Sequence, residues 1–404
     1  MSNSFVVTDL VAREALRIAH EKLAFIGTAD RQYDETFKGD PKHGATLRVK
    51  SPNQYTRRQG SRIIDVQEQA ETSQTITAAT QDGVDMAFNS DEMSLITPDN
   101  IGTFSKLYIE PALAGWLSAI EGDFISFATK KVFQQVGTPG SPPSDLAAIG
   151  AARAKLNQQL APKDGNRFVQ LDSVTSGGLV NGLKGLFQDS SQIREQYREG
   201  MLGRTGGADF YENDRMYAHT NGSSDNTGTV NDTVASGDTS VTLASMGVSK
   251  TIEAGSIITF AGCYDVHPET KQAYSHLKQF VVTADVTSDG AEAVTVAISP
   301  AIITTGARQN CSAVPTNGGA ALISGSASTS YLQNLMYHKE AFQFITAPLP
   351  LMGDSLTCSR REQEGLSLRV WQASDIINDR MLMRIDILYG MAALRPEWAC
   401  RITN

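Results

Sequence analysis

The chain has 404 residues, 41% of them hydrophobic and 20% charged, with a formal net charge of −9. That is apolar material for two or three cores, and it excludes global disorder. The acidic balance excludes a DNA reader that works by neutralising phosphates, but not a container that must avoid sticking to nucleic acid. Four cysteines, Cys263, Cys311, Cys358 and Cys400, form no CxxC pair and read as free thiols of a reducing compartment. Met1 to Leu10 lacks the basic start and apolar run of a secretion signal. No stretch approaches the roughly 18 uninterrupted apolar residues of a membrane span. The expectation is a protein made and used in the cytosol.

In chain order, Thr8 predicts the cap of a helix reaching about Phe25 and stopped by Gly27. Ala12, Leu16, Ala19, Leu23 and Ile26 share one face of it. That face fits either a helix packed on its own chain or an arm docking on a neighbour, with Leu16, Leu23 and Ile26 as the contacts. From Phe37 to Met93 the chain is polar. Strands are expected at Thr46 to Lys50, at Thr75 to Ala78 and around Val84 to Phe88, on either side of a tip that carries Arg57, Arg58, Gly60 and Arg62. A two-stranded projection of this kind is marginal alone in water and needs a partner surface. The three arginines are either solvated or aimed at a neighbour's acids.

Pro111 suits the first turn of a long helix expected to run to Val136 and end at Gly137. Ser144 predicts the cap of another, ending near Leu160 before Pro162. Arg167 to Leu171 reads as a strand, the Gly-rich segment Val174 to Phe187 and Gln192 to Arg198 as helices, and Gly200 to Gly207 as a loop. Asn221 to Ser330 then changes character. It is rich in Thr, Ser, Gly, Val and Ala, and its strand candidates are Ser240 to Leu243, Ser256 to Phe260, Gln279 to Ala284 and Ala293 to Ile298. Short, evenly spaced strands favour a small barrel or sandwich interrupting a second domain. Beyond it, Tyr331 to Glu340 reads as a helix, and Ala341 to Ala347, Leu366 to Gln372 and Met381 to Tyr389 as strands, with a turn at Asp375 to Arg380. In the last strand Arg384 and Asp386 alternate with Met383, Ile385 and Ile387.

Catalytic chemistry is not visible. No GxSxG, P-loop or HExxH motif occurs. His267 and His276 flank Cys263 and Glu269, but the spacing fits no usual ligand pattern, and surface positions are the simpler reading. Gly203 to Gly207, with one arginine, reads as a flexible loop more readily than as an anion cradle. Asp65, Glu68 and Glu71 read as a solvated face rather than a carboxylate pair. Arg395 and Glu397 flank Pro396 after the last strand and are candidates for pairing within or between subunits. No cofactor or metal is expected.

Three runs resemble one family: Gln192 to Tyr211 (QIREQYREGMLGRTGGADFY) with HTNG from His219; Gly255 to Val282 (GSIITFAGCYDVHPETKQAYSHLKQFVV); and Asp379 to Ala399 (DRMLMRIDILYGMAALRPEWA). Together they resemble the major coat protein of short-tailed double-stranded-DNA bacteriophages, of the type with an inserted β-barrel. The implied fold is α+β, similar to the Hong Kong 97 type of capsid. It would comprise an N-terminal arm (1–35), an extended loop (36–100), a spine helix (101–137), the first part of the peripheral and apical domains (138–220), the inserted barrel (221–330) and the return strands (331–404). The implied function is a self-assembling shell of hexamers and pentamers around packaged DNA. The implied partners are a scaffolding protein, a portal protein at one vertex and possible decoration proteins, with no membrane and with assembly in the host bacterial cytoplasm. The segment Val234 to Thr239, where such relatives can carry a long charged bridging loop, is short and holds only Asp238. A protein nanocompartment of the same fold is the nearest alternative. A glycan-binding hydrolase with a β accessory domain is a more distant one, because the interruption has neither Trp nor an evident carboxylate pair.

Overall fold

The computed structural model describes residues 7–31, 46–58, 60, 62–64, 66, 71–89, 108–183, 203–352, 358–363 and 366–404. It is of mixed α and β make-up, and contacts divide it into two units. The first takes residues 1–49, 73–124 and 342–392; the second takes 50–72, 125–341 and 393–404.

In the first unit, helix α1 (Val7–Lys22) and the short α2 (Ala24–Thr28) carry the periodic apolar face. The structure turns that face inward. Leu16, Leu23 and Ile26 are buried, and α1 packs against the strands Cys358–Gln363 and Leu366–Asp375. These three side chains therefore serve the chain's own core and are not exposed for a neighbour. Phe25 stacks on Phe124 at 4.8 Å, and Phe124 on Phe344 at 5.4 Å. The Phe25 amide donates to the buried carboxylate of Glu121.

The unit's sheet orders Phe342–Ala347, Arg380–Ala393, Leu366–Asp375 and Cys358–Gln363, and Thr80–Asn89 also pairs with Arg380–Ala393. That last pairing corrects the expected free ribbon. Only Thr46–Lys50 and Ser73–Thr77 form a two-stranded sheet, whereas Thr80–Asn89 runs antiparallel to the late strand, from Asn89 opposite Arg380 to Thr80 opposite Tyr389. The alternation expected in the late strand also breaks at Asp386. It is buried beside Arg369, directly across the ladder, whose Nη2 donates to its Oδ2 at 2.5 Å.

The long helix α3 is shorter than expected, spanning Glu110–Lys131, and the division between units falls within it. Gln135–Val136 leave the helix because they pair in parallel with Arg401 and Ile402. Sheet hydrogen bonding thus wins over helix propensity there. Helix α4 (Leu146–Gln158) is capped by Asp145, not Ser144, with Asp145 Oδ1 accepting from the Ala147 amide. Helix α5 covers Ser173–Leu183. The expected helix at Gln192 to Arg198 lies outside the described residues.

The second unit's main sheet orders Gln135–Val136, Ala399–Thr403, Ser330–His338, Arg167–Leu171, Ala208–Glu212 and Arg204–Thr205, with Ala218–Thr220 on the end of Ser330–His338. Ser330–His338 is a strand, not the expected helix. Leu335 sits between Gln170 and Arg401, so both strand edges are hydrogen-bonded, and Tyr331 and Leu335 to His338 are buried. Arg204 bridges Asp209 at 3.3 Å and donates to the Gly165 carbonyl, so the Gly203 to Gly207 segment is a closed hairpin with a committed arginine.

Between Ala218–Thr220 and Ser330–His338 the chain forms a closed six-stranded barrel, in the order Ser240–Ala244, Val294–Ser299, Ala273–Val282, Ile257–Val266, Ala320–Ile323 and Thr227–Val230. Its interior is one apolar cluster that includes Val241, Leu243, Phe260, Phe280, Val296 and Ile298. Thr227–Val230 and Ala320–Ile323, which join the two ends of the module, escape the sequence reading because they are only four residues each and are diluted by Gly and Ala, which strands disfavour.

Candidate assembly surfaces and the barrel seat

Two tips expose apolar side chains. The loop between Lys50 and Thr72 leaves Ile63, Ile64 and Val66 at 79%, 77% and 82% exposed. Arg57, Arg58 and Arg62 are exposed beside them. Arg58 donates to the Ile63 carbonyl and so shapes the tip, while no acid of the described residues pairs with Arg57 or Arg62. The salt bridge across the loop's base, Lys50 to Glu71 at 2.7 Å, joins two exposed side chains and contributes at most about 1 kcal/mol.

The second tip is the hairpin turn after Leu366–Asp375. Asp375 organises it. Its carboxylate accepts from the Ile377 amide, the Asn378 side chain and Arg380, so the backbone folds under and lifts Ile376 and Ile377 to 95% and 87% exposure. The fixed turn thus holds two branched apolar residues side by side in solvent. The sequence reading found the arginines and missed the isoleucines.

Arg395 and Glu397 are not paired with each other. Arg395 reaches Glu340 at 3.6 Å and stacks on Trp398 at 4.1 Å. Burial pushes the Glu397 carboxyl above its ordinary range, and its carbonyl accepts from Gln134. Their contacts are intrachain. Among the described residues no group of His, Cys, Asp and Glu is arranged to hold a metal, and His267, His276, Cys263 and Glu269 do not converge. Cys263 lies in the barrel core and, like the other three cysteines, is a buried free thiol. His276 instead faces Asp265.

The second unit's charge chemistry lies where the barrel sits on the main sheet. Lys278 Nζ meets Asp265 Oδ1 at 2.8 Å, both side chains at most 5% exposed, and lies 4.9 Å from the Phe133 ring centre. Gln159 donates to the other Asp265 oxygen. Burial alone would raise the Asp265 carboxyl. His276, Lys278 and Lys155 outweigh it and hold it at about 2. Gln135 and Gln279 exchange two hydrogen bonds, and Phe133, Ile257 and Val281 form an apolar contact beneath them. At the other edge Arg401 donates to the Gly255 carbonyl at 2.7 Å, and His219 bonds Ser256. Gly255 has φ +102°, and a Cβ there would press on Lys130 and His219 at 3.1 and 3.3 Å. The positive φ favours glycine there, and any side chain would also crowd Lys130 and His219.

Burial, then the charges of Arg401 and Lys130, lower the His219 pKa from 6.5 to about 4. As pH falls below 6.5 the unfolded chain takes up a proton that the folded one refuses, so stability declines until about pH 4. The loss is roughly 3 kcal/mol. Asp265 works in a lower window, its contribution fading as pH falls from about 4 through about 2. Urea unfolding of the full chain at a series of pH values should show the first decline, and His219→Gln should flatten it. An equal slope in both proteins would refute the assignment.

Ile63, Ile64, Val66, Ile376 and Ile377 are the most exposed large apolar side chains among the described residues. The chain matches the family described as P22 coat protein, gene protein 5, over residues 190–401, more than half its length. The chain belongs to the P22 coat protein family, and it is a major capsid protein, part of a phage virion. Similar solved structures include one from Mycobacterium phage Che8, with 11% identity and TM-score 0.49 over 94% of this chain and 90% of that one. The capsid of Ralstonia phage GP4 is 8% identical with TM-score 0.46, covering 93% and 87%. The virus-like particle from Pyrococcus furiosus is 6% identical with TM-score 0.42, covering 98% and 99%. No curated protein matches the sequence. Among the described residues no helix is long and apolar enough to cross a membrane.

Proposed function

We propose that this coat protein has the Hong Kong 97 type of fold, with the barrel as its inserted domain, and that it builds hexamers and pentamers of an icosahedral head. The loop around Arg57, Arg58 and Arg62 and the hairpin tip at Ile376 and Ile377 bind neighbouring copies. The observation that carries this reading is the exposure of Ile63, Ile64 and Val66 at the end of a two-stranded stem, a ribbon too poor in buried area to be stable in water without a partner surface. Each contact is weak, and closure of the shell multiplies them. A scaffolding protein guides assembly inside the bacterial cytoplasm, a portal occupies one vertex, and the net charge of −9 keeps contact with the enclosed double-stranded DNA weak and non-specific. Decoration proteins, where present, bind outside. The subunit performs no catalysis.

The test is assembly itself. Full-length protein co-produced with its scaffolding protein should sediment as closed shells visible by electron microscopy. A protein that folds but stays monomeric at every concentration and scaffold ratio would sink the proposal.

A further inference from the structure

Arg401 lies in the middle of the second unit, 1% exposed, on the strand Ala399–Thr403. Its Nη1 donates to the Gly255 carbonyl, but Nε and Nη2 have no partner. No carboxylate among the described residues pairs with it. A buried guanidinium without an anion is costly, because the lost hydration is not replaced. Beside it, His219 is 4% exposed, and its Nδ1 is also without a partner. Both side chains line one small enclosed cavity of about 10 Å³, together with Gln135, Asn221, Tyr331 and Gln333.

The polar groups of the wall are largely committed. Asn221 Nδ2 donates to the Ser324 and Ser326 carbonyls, Gln135 Nε2 to Thr403, and Gln333 Nε2 to the Tyr331 carbonyl. Among the residues that line the cavity, the unpartnered donors belong to Arg401 and His219. Donation from His219 Nδ1 requires the tautomer in which Nε2 accepts from the Ser256 hydroxyl, and that contact is present at 3.2 Å. The lining residues thus offer a fixed positive charge and unpartnered nitrogens, but no carboxylate.

We propose that this cavity is a structural anion site, in which one halide ion, chloride in ordinary buffers, lies between Arg401 and His219 and fastens the barrel to the main sheet. The space open to the centre of a water-sized sphere is only about 10 Å³, so a monatomic anion is the candidate and polyatomic ones such as sulfate, phosphate or gluconate are too large. Charge-assisted hydrogen bonds favour an anion over neutral water at such donors. The ion also offsets the field of Arg401 on His219, so the pH series described above belongs in gluconate.

Thermal unfolding of the monomer in sodium chloride, bromide and gluconate at equal ionic strength reads the site directly. Chloride and bromide should raise the midpoint over gluconate by about 3 °C or more. Arg401→Met should abolish the difference. Should that variant fail to fold, bromide-soaked crystals of the unaltered protein decide: an anomalous peak between Arg401 and His219 supports the site. Equal midpoints in chloride and gluconate, which a bound water would give, or bromide peaks at other positions and none here, would overturn it.

Discussion

Replacing Asp265 by alanine should destabilise the second unit by about 3–5 kcal/mol, the usual consequence of stranding one charge of a buried pair. The side chain is at most 5% exposed, touches Lys278 at 2.8 Å and accepts from Gln159, so its loss leaves an ammonium and an amide unsatisfied together. Lys278 has nowhere to go. It is 3% exposed, with its ammonium 4.9 Å from the Phe133 ring centre. Asp265→Asn, which keeps the shape but not the charge, should recover part of the loss. The double substitution Asp265→Leu with Lys278→Met should recover more, since paired apolar groups of similar volume often replace a buried ion pair without penalty. Chemical denaturation of the three variants checks this. A single variant within about 1 kcal/mol of the unaltered protein would show that water reaches the pair and that the packing around it is looser than the structure has it.

The second large effect is on assembly rather than folding. Ile63→Asp with Ile64→Asp should lower the yield of closed shells at least tenfold, while the monomer keeps its unfolding midpoint. The two side chains are more than three-quarters exposed, so folding loses little when they become polar. An interface that must bury them would instead have to bury unpaired carboxylates. Charge reversal of Arg57, Arg58 and Arg62 to Glu should act in the same direction but more weakly and with a salt dependence, because rim charges steer more than they hold. Particle yield by sedimentation, alongside monomer melting, separates the two. Normal shells from the isoleucine variant would mean that this tip faces solvent in the particle.

The sequence pattern made some of this legible and hid the rest for physical reasons. The face of α1 and the strands of the late hairpin were readable because the cause is local: apolar residues repeat at the period of their own element. Pairing partners were not. Thr80–Asn89 has the alternation of a strand, but nothing in it names Arg380–Ala393, about three hundred residues away, as its neighbour. Ser330–His338 looked helical because Leu332, Leu335 and Met336 are good helix formers at helical spacing. Two flanking strands override that preference. At the candidate site the arginines stood out because charge is conspicuous in any context. Ile63, Ile64, Ile376 and Ile377 did not, because an isoleucine in sequence reads as core. Only coordinates show it outside.

The closed barrel has one further consequence. A sheet that ends in free strands invites other copies to add to it, and a coat protein keeps many copies of the same strand side by side at very high local concentration. Here Thr227–Val230 and Ala320–Ile323 pair with each other, so the last edge of the module is sealed by its own first and final strands. These two modest segments therefore leave the barrel no open edge through which other copies could add as β-strands in the crowded phase before the lattice forms.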